Sequence, residues 1–117
     1  MRPAREPAPL KPAAFHILLA LADRESHGYA IMQAVREQSG GHVPLRTGSF
    51  YRHLSALIRD GLVAESPDRP KDDDPRRGAY YRVTARGHEA LAAERTRLSR
   101  LVAALDAVRP HTRRGLA

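Results

Sequence analysis

The chain has 117 residues, 42% of them hydrophobic, enough for one domain with one modest core. It contains no Cys, which excludes a disulfide framework and any thiolate metal site. The net charge of +7 favours polyanionic partners. However, residues 1–12 hold three basic side chains against one acidic and residues 109–117 hold three more basic ones, leaving only +2 for residues 13–108.

Residues 1–11, with three prolines and few large apolar side chains, read as an unstructured arm. They lack the apolar core of a secretory signal. A first helix is expected from Pro12 to about Ala22, because proline is tolerated where an N–H has no helical partner. Phe15, Leu18, Leu19 and Ala22 share one face at helical spacing, and Ile17 and Leu21 widen it. The run Ile17–Ala22 is the longest apolar stretch, far short of the roughly 20 residues a membrane span needs. Asp23–Gly28 breaks the pattern. A second helix is expected over about Gly28–Ser39, with Ile31, Met32 and Val35 as its apolar set and Gly40-Gly41 as its stop. Val43 and Leu45 alternate with polar neighbours and suggest a short extended piece.

Thr47 is a good N-cap for a third helix running to about Asp60, with Phe50, Leu54, Leu57 and Ile58 on its apolar face. After Gly61, Leu62–Ala64 starts a strand and Tyr80–Thr84 returns as another. Between them Ser66–Gly78 holds three prolines, four Asp and four Lys/Arg, the make-up of a long charged hairpin loop. Thr84 can cap a fourth helix over about Ala85–Val108. There Leu91, Leu98, Leu101, Leu105 and Val108 form a seam near seven-residue periodicity, with Glu94 as a mismatch. Residues 109–117 read as a flexible basic tail.

Helix, helix, helix, hairpin, long helix is the order of a winged helix-turn-helix: mainly α with a small β-hairpin, over residues 12–84, followed by a dimerisation helix over 85–108. The third helix carries the functional argument. Opposite its apolar stripe lie Gly48, Ser49, Arg52, Ala56 and Arg59. Small residues let a helix sink into the major groove of double-stranded DNA, and Arg pairs bidentately with a guanine edge. The hydroxyls and free N–H groups of the Thr47–Arg52 turn suit phosphate oxygens. Arg76 and Arg77 on the hairpin are placed to reach the neighbouring backbone, with more weight than Arg69 or Lys71. Asp68 and Asp72–Asp74 would turn the hairpin tip away from phosphates. The same pattern also suits a winged-helix module that binds protein and not DNA.

Three ordered blocks carry a family resemblance: His27-Gly28-Tyr29-Ala30-Ile31; Gly48-Ser49-Phe50-Tyr51-Arg52-His53-Leu54 continuing to Asp60-Gly61-Leu62; and Tyr80-Tyr81-Arg82-Val83-Thr84-Ala85-Arg86-Gly87. Together they resemble the PadR-like transcriptional regulators. The resemblance implies a dimeric winged-helix repressor of the bacterial cytoplasm, often released by a small effector. It implies DNA contacts from Tyr29, from the Thr47–Arg52 turn including Ser49, Tyr51 and Arg52, and from Arg76 and Arg77. The chain departs from the pattern in its Asp72–Asp74 run and in the Gly78-Ala79 spacer before the tyrosine pair.

The aliphatic seam of the fourth helix is too large for so small a domain to cover, and a two-fold copy is the economical partner. An effector pocket between the first and fourth helices would be lined by aliphatic side chains and Phe15. No enzyme, cofactor or metal reading arises: the chain has no nucleophile elbow, no Gly-rich phosphate loop and no recognisable metal spacing.

Overall fold

The computed structural model describes residues 8–67, 70 and 73–110. The expected arm over residues 1–7, the tail from 111 onward, and Asp68, Arg69, Lys71 and Asp72 lie outside the described residues. The elements are α1 (Pro12–Asp23), β1 (Ser26–His27), α2 (Gly28–Gln38), α3 (Thr47–Arg59), β2 (Val63–Ser66), a 3-10 turn (Pro75–Arg77), β3 (Tyr80–Val83) and α4 (Ala85–Ala107). The fold is mainly helical with a three-stranded antiparallel sheet in the order β1-β3-β2 and a long last helix.

α1 is the centre of the packing, with contacts to α2, α3, α4 and β3. Its core face is Ile17, Leu18, Ala20 and Leu21, all buried. Leu19 was expected on that face. It lies about 100° from Leu18 and 200° from Ile17 around the helix, and so turns with Phe15 towards α4, where it is exposed. Ile31 and Val35 of α2, Phe50, Leu54 and Leu57 of α3, and Val63 and Val83 of the sheet complete the core. Phe50 is fully buried; truncating such a ring to Ala costs about 3–5 kcal/mol. Ile58, expected in the same stripe, is rotated about 100° beyond Leu57 and is exposed.

Two starts differ from expectation. Thr47 is the first helical residue of α3 and not its cap. Arg46 is the extended residue (φ −82°, ψ 157°), and its carbonyl accepts both Phe50 N–H at 2.8 Å and Ser49 Oγ–H at 3.1 Å. Ser26–His27, which carries no alternating pattern, forms an edge strand by pairing Ser26 with Tyr81 and His27 with Tyr80. The segment at Val43 and Leu45 leans on the core but joins no strand. Leu10, placed by the sequence in an unstructured arm, packs on the core and donates its N–H to Glu94 Oε2 at 2.7 Å.

The hairpin pairs Val63 with Val83 and Ser66 with Tyr80. It joins α4 through Thr84, whose hydroxyl donates to Gly61 O at 2.6 Å and accepts Gly87 N–H at 3.1 Å, capping the helix as its position suggested. A side chain at Gly87 would collide with Leu62 O and Val83 Cγ1, so this crossing needs a glycine. Beyond Arg97, every α4 residue is exposed.

A candidate nucleic-acid interface

His27 opens the site. Its Nδ1 accepts Ala30 N–H at 3.4 Å, capping α2, and its ring meets Tyr80 edge-on at 5.4 Å between centroids. Tyr29 is 68% exposed, and its hydroxyl accepts a 2.7 Å bond from Gln33 Nε2 one turn on, which fixes the ring's direction. Gly28 is buried beneath Tyr51: a Cβ there would stand 2.6 Å from the Tyr51 hydroxyl oxygen. The Tyr51 ring also packs edge-on against Phe50 at 4.9 Å. Its hydroxyl is therefore held over the start of α2 by the core beneath it. Neither Gly28 nor Gln33 was singled out as a site residue from the sequence; the Tyr29–Gln33 spacing of four was the available signal.

The wing arrives on the same side. His27, Tyr29, Tyr51, Asp74, Arg76 and Arg77 line an open cleft of about 700 Å³ between α2, the start of α3 and the 3-10 turn. Thr47 and Arg52 are exposed on the first turns of α3 but do not line the cleft, while Ser49 is half-buried with its hydroxyl turned back to Arg46 O. Arg52 forms no hydrogen bond or ion pair among the described residues. α3 thus presents a guanidinium, small residues and a helix start to solvent, the combination that fits a groove.

The wing arginines are not free. Asp74 accepts the Arg76 backbone N–H at 2.9 Å, and its two carboxylate oxygens take Arg76 Nε at 3.1 Å and Nη2 at 2.8 Å. The Arg76 guanidinium holds the Asp74 carboxyl below the usual carboxylate value, with the Arg76 N–H adding to the effect. Asp73 accepts Tyr80 Oη–H at 2.7 Å and Arg77 Nη1 at 3.1 Å, and its side chain is only 1% exposed. Arg77 is held charged by Tyr80 and Asp73. The acidic residues expected to repel phosphate are, at Asp73 and Asp74, turned onto the arginines. Tyr81, half-buried in the sheet, has its hydroxyl pushed up by burial and by Tyr51 and Glu65.

A second concavity, about 720 Å³, lies between α1 and α4, lined by Phe15, Leu19, Leu91, Leu98 and Val102, with Arg95 and Asp106 beside them. Phe15 and the aliphatic side chains named from the sequence between these two helices are part of its lining. Leu98, Leu101 and Leu105 are exposed along the outer half of α4, Leu105 to 70%, as is Val108 just past its end, whereas Leu91 is half-buried against its own core. Among the described residues no His/Cys/Asp/Glu group could hold a metal ion, and no helix is long and apolar enough to cross a membrane.

None of the curated proteins matches the chain significantly. Solved structures do. A PadR family transcription regulator from Clostridium difficile R20291 superposes with a TM-score of 0.67 at 19% identity, covering 82% of this chain and 96% of that one. The protein smu.1704 from Streptococcus mutans UA159 gives 0.66 at 20% identity, covering 89% and 98%. RosR of H. salinarum gives 0.58 at 25% identity, covering 84% and 94%. These likenesses establish the winged-helix arrangement with its long last helix. The sequence profile described as the Transcriptional regulator PadR-like family matches residues 17–93, well over half of the chain. The chain belongs to the PadR-like family of transcriptional regulators.

Proposed function

We propose that this chain acts in the cytoplasm as a homodimeric repressor that binds a palindromic operator in double-stranded DNA and is released by a small effector. The observation that carries the reading is the surface shared by three elements. Exposed Tyr29, the Tyr51 hydroxyl and the wing arginines surround one cleft, and the exposed Arg52 stands on the adjoining turn of α3. Tyrosine hydroxyls and guanidinium groups are phosphate donors, and Arg52 has the reach and fork for a base edge. Thr47 and Ser49 supply first-turn N–H groups for the backbone. The exposed seam Leu98, Leu101, Leu105 and Val108, continued by Leu91, supports a two-fold partner, which would place two α3 helices for two half-sites. The groove lined by Phe15, Leu19 and Val102 is the seat for an apolar effector.

The test is a mobility shift on DNA from upstream of the protein's own gene, with random duplex as competitor. A retained complex that survives excess random duplex is expected. Binding of both DNAs with equal strength would remove sequence specificity, and no binding to either would leave the winged-helix face to a protein partner.

A further inference from the structure

Two neighbouring carboxylate–guanidinium pairs in the wing differ in kind. Asp73 is shielded from solvent, shares its Oδ1 between Arg77 and Tyr80, and so fastens the wing turn to β3. Asp74 and Arg76 stand at the surface, with side chains 37% and 89% exposed. Exposed pairs of this sort are weak and exchange readily. The Asp74 carboxylate nevertheless takes the Nε–Nη2 fork of Arg76, one of the two donor pairs by which an arginine grips a phosphate. Arg76 lines the same cleft as Tyr29 and Tyr51.

We infer that Asp74 tempers the sequence-independent affinity for DNA: it occupies Arg76 with an internal substitute for a DNA phosphate and so holds down binding to DNA of arbitrary sequence. This rests on the proposed DNA-binding function. Binding to random duplex is driven by neutralising phosphates and releasing their counterions. A guanidinium already paired with a carboxylate adds little to that release. If it does exchange, it leaves a negative charge beside the phosphate it has gained. Arg52 makes no such pair, so base reading by α3 is untouched while the sequence-independent part of the affinity is lowered. The Asp74 side chain also caps the 3-10 turn through Arg76 N–H. Any test must therefore keep that acceptor.

Asp74→Asn keeps an oxygen for the cap and removes the charge, and Asp74→Ser does the same with a shorter side chain. Random-sequence duplex is titrated at several salt concentrations with wild type, both variants, Asp74→Asn/Arg76→Ala, and Asp23→Asn. The last removes one equal charge from the end of α1. Asp74→Asn and Asp74→Ser are each expected to raise random-duplex affinity about two- to fivefold near 0.1 M salt. The log–log salt dependence should steepen by about one unit. Adding Arg76→Ala should cancel the gain, and Asp23→Asn should produce a smaller one. Unchanged affinity and slope in both Asp74 variants overturns the inference, as does a gain that survives Arg76→Ala or is equalled by Asp23→Asn. If those results come from a protein whose operator binding is intact and Arg52-dependent, only the role of Asp74 falls. If wild type binds neither operator nor random duplex, the DNA-binding reading falls with it.

Discussion

The N–H of Leu10 donates a 2.7 Å hydrogen bond to Glu94 Oε2, joining the chain before α1 to the middle of α4 across 84 positions. The same oxygen accepts Arg97 Nη2 at 2.7 Å, while Arg97 Nε, also buried, has no hydrogen-bond partner among the described residues. Glu94 is 8% exposed. What looks in sequence like a break in an apolar seam is an inward-facing clamp on the segment that precedes α1.

Burial pushes the Glu94 carboxyl up, but Arg97 and the Leu10 N–H more than offset this, so the group lies below its ordinary value. A depressed carboxyl stabilises the fold fully above its unfolded value of about 4.3, and loses that contribution as pH falls through the lower folded value. Glu94→Gln should therefore cost about 1–2 kcal/mol at pH 7. Urea unfolding of both proteins between pH 7 and 3 should show the gap narrowing only below about pH 4.5. A gap constant across that range would mean that the carboxylate charge is not what holds Leu10.

Gly28 and Tyr51 are a second coupled pair. Gly28→Ala sets a methyl 2.6 Å from the Tyr51 hydroxyl oxygen and 3.3 Å from its ζ carbon, so the ring must move. The expected cost is about 1–3 kcal/mol, the range for forced overpacking, together with weakened DNA binding as the hydroxyl is displaced. In a Tyr51→Phe background the stability cost of Gly28→Ala should shrink, because the nearest clashing atom is gone. Thermal unfolding of the four proteins measures this, and equal costs in both backgrounds would place the strain elsewhere.

The outer half of α4 yields a test of assembly. Leu98 and Leu105 are already exposed in the single chain, so Glu at both positions should leave each subunit folded and separate the copies. Burying those charges against an apolar partner would cost several kcal/mol. Sedimentation should show a wild-type dimer and a folded monomeric variant with unchanged far-UV dichroism. A wild-type protein that sediments as a monomer at micromolar concentration contradicts the proposed dimer.

The helices were legible because their apolar residues recur at 3.6-residue spacing over three or more turns, as at Phe50, Leu54 and Leu57. The cap at Thr84 was legible because its hydroxyl acts within its own turn. β1 was not. Two residues, Ser26 and His27, carry no alternation, and their pairing exists only because β3 runs alongside. α1 misled because it is apolar on two sides, with Ile17 and Leu21 facing the core while Phe15 and Leu19 face the α4 groove. At the candidate interface, the α3 pattern set Arg52 opposite the apolar stripe and the resemblance implied Tyr29 and Tyr51 as DNA contacts; all three are exposed. Neither had a means of pairing Asp73 with Arg77 and Asp74 with Arg76, since loop spacing does not define which way a carboxylate turns.

The decisive prediction concerns Arg52. It stands one residue beyond Tyr51 on the exposed side of α3, without a partner among the described residues. If its fork reads a base edge, Arg52→Ala removes a contact worth on the order of 1–3 kcal/mol at one base pair, and relaxes discrimination there. Arg77→Ala and Tyr51→Phe should instead weaken operator and random duplex alike. A lost arginine–phosphate contact should also flatten the salt dependence by about one unit or slightly less. Arg76→Ala should do the same to a smaller degree while Asp74 is present, because its fork is already engaged. Titrations of operator and random duplex at several salt concentrations, on variants whose unfolding midpoints match wild type, separate the two classes. Arg52→Ala should lower operator affinity roughly 5- to 150-fold, the equivalent of 1–3 kcal/mol, and leave random-duplex affinity within a few-fold. If Arg52→Ala lowers both equally, α3 does not read bases through Arg52. If Arg52, Arg77 and Tyr51 can all be replaced without effect on either DNA, this face of the winged helix does not touch DNA, and a protein partner becomes the reading to pursue.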